Sequence, residues 1–262
     1  MKKRILKNIF IILVYAFLYL PIIILVVFSF NTSKMNITFE GFTLKWYQTL
    51  FSNRSLLEAF FNTIIVAVTS TFISTIIGTI SAYALNRYNF KGKGFIMKLL
   101  YIPIVIPEIV LGISLLSVYT LLKLDLGMMT LILSHIAFSI PFVIISVKTV
   151  LDDLNPNLYD ASKDLGANSF ETFRHIILPS LIPGITSGAM LAFTLSLDDV
   201  VISYFTAGPS SNTLPLKIYS MIKTGITPEV NALSTIILVV TFTIILLFTL
   251  KQMRSLKKEV VR

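Results

Sequence analysis

The chain contains no cysteine, so disulfide bonds and thiolate metal sites are excluded. It also lacks a nucleotide-binding loop of the form G-x-x-x-x-G-K-[ST], so it cannot hydrolyse ATP by that route. The motifs H-E-x-x-H and G-x-S-x-G are missing too, and no internal repeat is obvious. We therefore expect neither an enzyme nor an inverted-repeat secondary transporter contained in this chain alone.

Charged side chains are few: they make up 13% of the 262 residues, whereas hydrophobic residues make up 55%. No soluble core needs so much apolar sequence. Six stretches with few or no charges each reach the roughly 20 residues that a helix needs to cross a bilayer. They are Asn8–Phe30, Phe60–Leu85, Leu99–Leu122, Gly127–Val147, Leu181–Phe205 and Val230–Leu250. The sequence predicts an all-α polytopic membrane protein with six transmembrane helices, a single permease-sized domain over residues 1–262.

The basic residues are unevenly distributed between the predicted loops. With both termini in the cytoplasm, most of the 22 Lys and Arg residues fall on the cytoplasmic side, as the positive-inside rule requires. The net charge of +9 is explained by this asymmetry and gives no support for nucleic-acid binding. We therefore expect both termini to be cytoplasmic, together with the segment between the fourth and fifth spans.

That segment, residues 148–180, begins with the signals of a short helix. Asn155 can cap a helix whose first position is Pro156, and Gly166 offers the left-handed turn that ends it. Leu158, Ala161 and Leu165 would share one face of this helix. A helix this short is marginal alone, so we expect it to need a partner surface.

A second short helix should follow in the same segment. Asn168 and Glu171 have the spacing of a capping box, and Pro179 should end the helix. Its apolar face would consist of Phe170, Phe173 and Ile177. The sequence thus predicts a cytoplasmic helix-turn-helix between the fourth and fifth transmembrane helices.

The residue spacing of this segment resembles the ATPase-docking loop of bacterial ABC importer permeases. In that family the motif runs Glu-Ala-Ala, three residues, Gly, nine residues, Ile, one residue, Leu-Pro. The matching residues of this chain are Asp160, Ala161, Ser162, Gly166, Ile176, Leu178 and Pro179. Asp160 and Ser162 depart from the family pattern but keep the charge sign and the small size. The resemblance implies the ABC type I importer permease fold, with residues 148–180 as the ATPase-coupling loop; the alternative is an ordinary amphipathic connector.

Three carboxylates lie inside the predicted spans, whereas no Lys or Arg does: Glu108, Asp198 and Asp199. An acidic side chain at the bilayer centre costs roughly 2.5–3.5 kcal/mol, so it normally faces a cavity or a cationic partner. Pro103 and Pro107 should bend the third span and free carbonyl oxygens just before Glu108. This combination suits an ammonium group. The alternative for Glu108 is a protonated carboxyl that is hydrogen-bonded to the backbone or to a partner subunit.

Asp198 and Asp199 are adjacent and should point about 100° apart on a helix, so we expect only one of them to face the pathway. The alternative is that they cap an irregular helix end. Ser196 can help to line the pathway. Trp46, in the first outer loop, belongs either to the aromatic belt of the membrane or to a cation–π contact at the substrate entrance. His135 in the fourth span is interpreted as a hydrogen-bonded packing residue and not as a metal ligand.

A closer resemblance covers essentially the whole chain. It is carried by Asp198–Val201 within LSLDDVVISYFTAGP, by LPLKIYSM from Leu214 and by PEVNA from Pro228. These residues are similar to the C-type permease subunits of bacterial spermidine/putrescine ABC importers. The resemblance implies a bacterial cytoplasmic (inner) membrane location and a heterodimer with a B-type permease. It also implies two ATPase subunits that use ATP and Mg, no cofactor bound by this chain, and an extracytoplasmic polyamine-binding protein.

The predicted function is that of a permease that forms half of a polyamine pathway and is coupled to a separate ATPase. Polyamines are polycations, which agrees with the unpaired acids in the spans. An importer of another solute, such as an anion or a metal ion, should instead line its route with basic or metal-coordinating groups. A cation channel or proton-coupled carrier would explain the acids but not the coupling loop, and a membrane scaffold would explain neither.

Overall fold

The computed structural model describes residues 2–33, 38–155, 157–224 and 228–260 of the chain. Within these residues the secondary structure is helical, with one isolated antiparallel bridge between Asn31 and Phe42 and no strand. In chain order the helices are α1 (Lys2–Phe28), α2 (Lys45–Ser52), α3 (Arg54–Arg87), α4 (Lys93–Val105), α5 (Glu108–Leu121), α6 (Met128–Asp153), α7 (Leu158–Asp164), α8 (Ser169–Thr172), a π-helical turn (Phe173–Ile177), α9 (Leu178–Ser180), α10 (Ile182–Asp198), α11 (Val201–Thr206), α12 (Leu214–Thr224) and α13 (Pro228–Val260).

The described residues contain three helices that are long and apolar enough to cross a membrane, in α1, α3 and α6. Two further spans count if each sharply bent helix pair is taken as one: α4 with α5, bent by 110°, and Ser169–Ser180 with α10, bent by 65°. The apolar part of α13 within the described residues, Pro228–Thr243, is shorter than a span. The all-helical, multi-span architecture is confirmed, whereas the described residues give up to five spans and not the predicted six.

Packing divides the chain into two compact units, Met1–Leu57 with Ser220–Arg262, and Glu58–Tyr219. In the first unit, α13 packs on α1 and α2. The Asn53 side-chain amide donates to the Glu229 carboxylate at 2.8 Å and so joins the end of α2 to the first turn of α13. This unit contains the buried Trp46.

The second unit is organised around the packing of α10 on α6. Gly184 and Gly188 lie one helical turn apart on α10 and face α6. A Cβ on Gly188 would lie 3.1 Å from the Val143 Cα, and one on Gly184 would lie 3.0 Å from the Ser146 carbonyl oxygen. Because glycine has no side chain, the two helix backbones approach closely here, as is common between membrane helices. The apolar core of the unit lies beside this contact and includes Leu85, Val147, Leu151 and Leu181.

The predicted fifth span, Leu181–Phe205, is not one helix. α10 ends at Asp198, Asp199 has an extended backbone with ψ 125°, and α11 begins only at Val201. The apolar composition of the stretch hid this break, because the residues on both sides of it are equally hydrophobic. Both predicted spans that contain the acids are therefore interrupted helices.

Candidate functional site

A cavity of about 370 Å³ in the second unit brings together the three carboxylates of the predicted spans, Glu108, Asp198 and Asp199. Most of its remaining lining is apolar and includes Phe138 and Phe142 of α6. Within the described residues, no lysine, arginine or histidine is among the residues that line it. The structure thus gathers acids from two distant parts of the chain around one predominantly apolar space.

Glu108 is placed by a break in the helix that precedes it. The predicted bend is confirmed, but only Pro107 lies at the break, since Pro103 lies inside α4. Ile106 and Pro107 have extended backbones with ψ near 135°, and α5 then begins at Glu108. The Pro107 carbonyl oxygen accepts hydrogen bonds from Val110 and Leu111. The Glu108 side chain is exposed, and within the described part of the chain it has no hydrogen-bonded or ionic partner.

Asp198 and Asp199 differ in what holds them. Asp198, the last residue of α10, is exposed, and its carboxylate has no hydrogen-bonded or ionic partner within the residues described. Asp199 is buried and caps α11: its carboxylate accepts the Ile202 N–H at 3.1 Å, the Ser203 N–H at 2.7 Å and the Ser203 hydroxyl at 2.7 Å. Capping at an irregular helix end was the alternative for both residues, and it describes Asp199 alone.

Behind Asp199 lies a buried polar cluster, which we call the His135 cluster: Ser70, His135, Ser196, Asp199 and Ser203. The His135 Nδ1 lies 2.7 Å from the Ser196 Oγ, and its Nε2 lies 3.1 Å from the Ser203 Oγ and 3.5 Å from an Asp199 carboxylate oxygen. The Ser70 Oγ lies 3.3 Å from the Ser196 Oγ. His135 is therefore a hydrogen-bonded packing residue, as its sequence context indicates. Ser196 is directed to His135, and its role in the pathway remains a prediction.

Trp46 belongs to the first unit and takes part in its packing. The indole Nε1 donates a hydrogen bond to the Asn31 carbonyl oxygen at 2.6 Å, and only 6% of the residue is exposed. The Lys45 ammonium lies 6.0 Å from the centre of the ring. A role at the substrate entrance remains a prediction that this placement does not test.

We call residues 148–180, the predicted ATPase-coupling loop, the coupling segment. Its first helix begins later than the sequence predicts. α7 follows Asn157, and the predicted first position, Pro156, lies outside the described residues. The Asn155 side-chain oxygen accepts the Asn157 N–H at 2.9 Å, so Asn155 stabilises the turn before the helix and does not cap the helix itself. Gly166 has φ 88°, which confirms the predicted left-handed turn.

The capping box of the second helix is confirmed. The Asn168 side-chain oxygen accepts the backbone N–H groups of Phe170 and Glu171, and the Glu171 carboxylate accepts the Asn168 N–H at 2.8 Å. Both ends of the turn at Gly166 are therefore fixed by local hydrogen bonds.

The prediction that Pro179 ends the second helix is wrong. The helix widens into the π-helical turn, in which the Leu178 N–H bonds to the Phe173 carbonyl oxygen five residues back. Pro179 follows within α9, where its lack of an N–H is tolerated beside the widened turn. The chain continues to Ser180 and then bends into α10.

The residues that match the ATPase-docking motif fall into two groups according to their burial. Ser162 is buried, and its hydroxyl lies 2.8 Å from the Thr172 Oγ1, which joins α7 to the second helix. The others are exposed or half-buried: Asp160, Ala161, Gly166, Ile176, Leu178 and Pro179. Two residues of the predicted apolar faces are exposed in this chain, Leu165 by 89% and Phe170 by 67%. They lie on either side of the Gly166 turn in the sequence, and the partner surface predicted for these faces remains a prediction.

Aromatic contacts attach the coupling segment to the end of α3. The Tyr83 and Phe173 rings lie 4.7 Å apart, and the Arg87 guanidinium lies 3.6 Å from the Tyr159 ring centre. The Tyr159 hydroxyl lies 2.7 Å from the Ser169 Oγ. The hydrogen bond with Ser169 and then the one with Arg87 lower the pKa of Tyr159 below its usual value. These contacts could not be predicted from the sequence, because nothing in the local residue pattern relates α3 to this segment.

The described residues contain no group of three or more His, Cys, Asp or Glu side chains that could hold a metal ion. The sequence did not indicate a role for Ser203. It lies four residues after Asp199, whereas the partners of a capping side chain normally lie two or three residues after it.

The chain matches the family model described as "Binding-protein-dependent transport system inner membrane component" over residues 74–254. It is 47% identical over 243 residues to the spermidine/putrescine transport system permease protein PotC of Escherichia coli (strain K12), which covers 93% of this chain and 92% of the relative. It is 36% identical to the putrescine transport system permease protein PotI of the same strain, over 86% of this chain and 82% of the relative.

Two solved structures have a similar fold. One belongs to a bacterial ABC transporter involved in the import of the acidic polysaccharide alginate, with TM-score 0.71, 15% identity, and coverage of 96% of this chain and 97% of that chain. The other belongs to the MetNI methionine ABC transporter, with TM-score 0.59, 17% identity, and coverage of 78% and 94%. The sequence identities are low, so these likenesses show the fold alone.

Proposed function

Because the chain belongs to the binding-protein-dependent transport system inner membrane component family, we propose that it is the polyamine-conducting permease subunit of an ATP-driven importer. Its fold is the predicted ABC importer permease fold. The cargo class is carried over from the names of the relatives, which are spermidine/putrescine and putrescine permeases. Residues 1–262 would then form one permease domain in the bacterial inner membrane, with both termini in the cytoplasm.

The single observation that carries the cargo assignment is the cavity with two unpaired carboxylates, Glu108 and Asp198. Its lining supplies no positive side chain from the described residues, so a ligand that brings its own positive charges would neutralise the acids. The apolar side chains that make up most of the lining offer no charged group that would compete with an ammonium group for the two carboxylates. An anion would meet repulsion in the same place.

Fold similarity alone does not identify the cargo. One structural neighbour is named for an acidic polysaccharide, so this architecture is not restricted to cations. The chemistry of the cavity distinguishes the two cases, because a route for an anion should carry basic side chains. The cavity therefore supports the polyamine assignment independently of the names of the relatives.

The coupling segment supports the proposed attachment to ATPase subunits. Leu165 and Phe170, on either side of Gly166 in the chain, are exposed apolar side chains, although other residues of the segment are joined by hydrogen bonds. An exposed apolar patch on an otherwise well-packed element is typical of a docking surface. We propose that this patch binds one of two ATPase subunits, which use ATP and Mg. A B-type permease and an extracytoplasmic polyamine-binding protein would complete the complex.

The proposal is tested by reconstituting the chain in vesicles with a B-type permease, the ATPase and the binding protein. Labelled spermidine should accumulate only with ATP, and putrescine should compete more strongly than a neutral amino acid or an anionic sugar. Accumulation that needs a proton gradient and not ATP would support a proton-coupled carrier instead. Equal competition by the anionic sugar would remove the polyamine assignment while leaving the importer class intact.

A further inference from the structure

Asp198 and Asp199 line the same cavity, but their carboxylates differ in the hydrogen bonds that they accept. All three hydrogen bonds to the Asp199 carboxylate come from the start of α11, and Asp199 is only 9% exposed. A carboxylate that already accepts three hydrogen bonds has little capacity left for a passing cation. Asp198, one residue earlier, has an exposed carboxylate without such bonds in the described structure. The adjacent acids are therefore divided between a structural and a binding role.

The hydrogen-bond directions in the His135 cluster follow from its chemistry. Ser203 has one hydroxyl proton, which it donates to Asp199, so the His135 Nε2–H must donate to the Ser203 oxygen. In the neutral imidazole, Nδ1 then accepts the Ser196 hydroxyl proton. The Ser70 Oγ lies 3.3 Å from the Ser196 Oγ, and its hydroxyl donates to the Ala67 carbonyl oxygen at 3.4 Å. The chain of donors runs from Ser196 of α10 through His135 of α6 and Ser203 of α11 to the carboxylate of Asp199.

This chain fixes the geometry of the break between α10 and α11. His135 is fully buried, and α6 is packed closely on α10, so the imidazole is a rigid support for Ser203 and Asp199. Asp199 keeps a helical φ of −63° although its ψ is extended, so its side chain still diverges by about 100° from that of Asp198, the last residue of α10. With Asp199 held toward α6 and α11, Asp198 therefore points in a different direction. The carboxylate of Asp198 is left at the cavity with Glu108.

We infer that His135 is a positioning residue of the transport route: it holds Asp199 as the cap of α11 through Ser203, and thereby directs Asp198 into the cavity as a cargo-binding carboxylate. The identity of the cargo rests on the proposed function, whereas the positioning itself does not. Ser196 and Asp199 then influence transport through His135 and Asp198 and not as ligands of the cargo.

Two substitutions of His135 separate positioning from packing. His135→Gln places an amide N–H near the position of Nε2 and can still donate to Ser203, whereas the shorter His135→Asn cannot reach Ser203. The measured quantity is spermidine transported per ATP hydrolysed by the full complex, because loss of folded complex lowers both rates together and leaves this ratio unchanged. We expect His135→Asn to lower the ratio about tenfold and His135→Gln to lower it less than about twofold.

A double-mutant cycle with Asp198→Asn tests whether the effect of His135→Asn on transport acts through Asp198. If His135 acts by positioning Asp198, His135→Asn causes no further loss in the Asp198→Asn background. An equal loss in both backgrounds, or no loss in the wild-type background, would overturn the inference. Should His135→Asn fail to assemble, Ser203→Ala takes its place in the cycle, since it removes the hydroxyl bridge but keeps the backbone N–H bond to Asp199.

A second measurement needs no polyamine at all. The chain has no cysteine, so Asp198→Cys introduces a single thiol whose labelling by a small water-soluble thiol reagent can be followed on this chain. We expect the thiol to be labelled readily, and about fivefold more slowly once His135→Asn is added. Unchanged labelling would contradict the positioning role even if polyamine uptake is normal. Conversely, slowed labelling in a complex that imports no polyamine would uphold the positioning role and remove only the proposed cargo.

Discussion

The coupling segment and the acidic cavity are both built at helix interruptions of the same unit, but they treat polar groups in opposite ways. In the coupling segment the capping oxygens and buried hydroxyls are bonded to partners a few residues away, as at Asn168 and Ser162. In the cavity, Glu108 and Asp198 lack such partners within the described structure. This contrast agrees with the proposed roles, in which the coupling segment keeps its shape while it transmits force and the cavity binds a ligand only transiently.

The most severe test of this comparison is Gly166→Val. Gly166 has φ 88°, a conformation that costs a β-branched residue roughly 1–2 kcal/mol or more, and its surroundings leave ample space for a side chain. The strain thus lies in the backbone, and relieving it would reorient the second short helix. We expect uptake to fall to background and the ATPase to be lost on purification of the complex.

The matched control for this variant is Gly94→Val. Gly94 also has open space around it, but it lies inside α4 without a positive φ. Near-normal uptake and ATPase retention are expected for it. If Gly166→Val behaves like Gly94→Val, the rigid turn is not needed for coupling.

A smaller effect is expected from neutralising one acid of the cavity. Glu108→Gln keeps the shape of the side chain but removes its charge, and the loss of attraction to an ammonium group should lower spermidine uptake about tenfold. The amount of assembled complex should not change, because the Glu108 carboxylate makes no hydrogen bond within the described structure. Asp125→Asn, which neutralises an exposed acid outside the cavity lining, provides the comparison in the same uptake assay. Equal uptake by the two variants would exclude Glu108 from the route.

The mildest change is Asn168→Ala, which removes the side-chain cap of the second short helix. Loss of such a cap costs about 1 kcal/mol of helix stability. The packing of Ser162 on Thr172 and of Phe173 on Tyr83 remains, so we expect uptake to fall by only about twofold. Local protection of the backbone amides of Phe170 and Glu171 in hydrogen exchange should fall more clearly. An unchanged exchange pattern would mean that the cap adds nothing to the rigidity of the segment.

The difference between the two regions also explains what could be read from the sequence. The capping box and the Gly166 turn were predictable, because the bonded groups lie within three residues of each other. The bend at Pro107 was predictable for the same reason. By contrast, residue spacing gave no sign of the π-helical turn before Pro179, whose Phe173 and Ile177 pack in a cluster with residues of α3 and α6.

The division between Asp198 and Asp199 could not be predicted for a similar reason. His135 and Asp199 come from different helices, and only the fold brings them within 3.5 Å. The sequence showed three acids without a Lys or Arg in their spans, but not that a buried histidine and a serine hold one of them in place. The type of chemistry was therefore readable, and the assignment of individual side chains was not.

α10 is a continuous helix that connects the coupling segment to Asp198, so a movement at one of its ends can be transmitted to the other. Its 17 residues form a rod of about 25 Å, with Leu181, fully buried, before its first residue and Asp198 as its last. Leu181 can serve as a fulcrum, because the bend into the coupling segment lies at that point. A tilt of about 10° there would swing the far tip by about 4 Å, enough to break contact between a carboxylate and an ammonium group. If the proposed ATPase binds the coupling segment, a movement at one end of α10 would thus be transmitted to the proposed cargo-binding carboxylate at its other end.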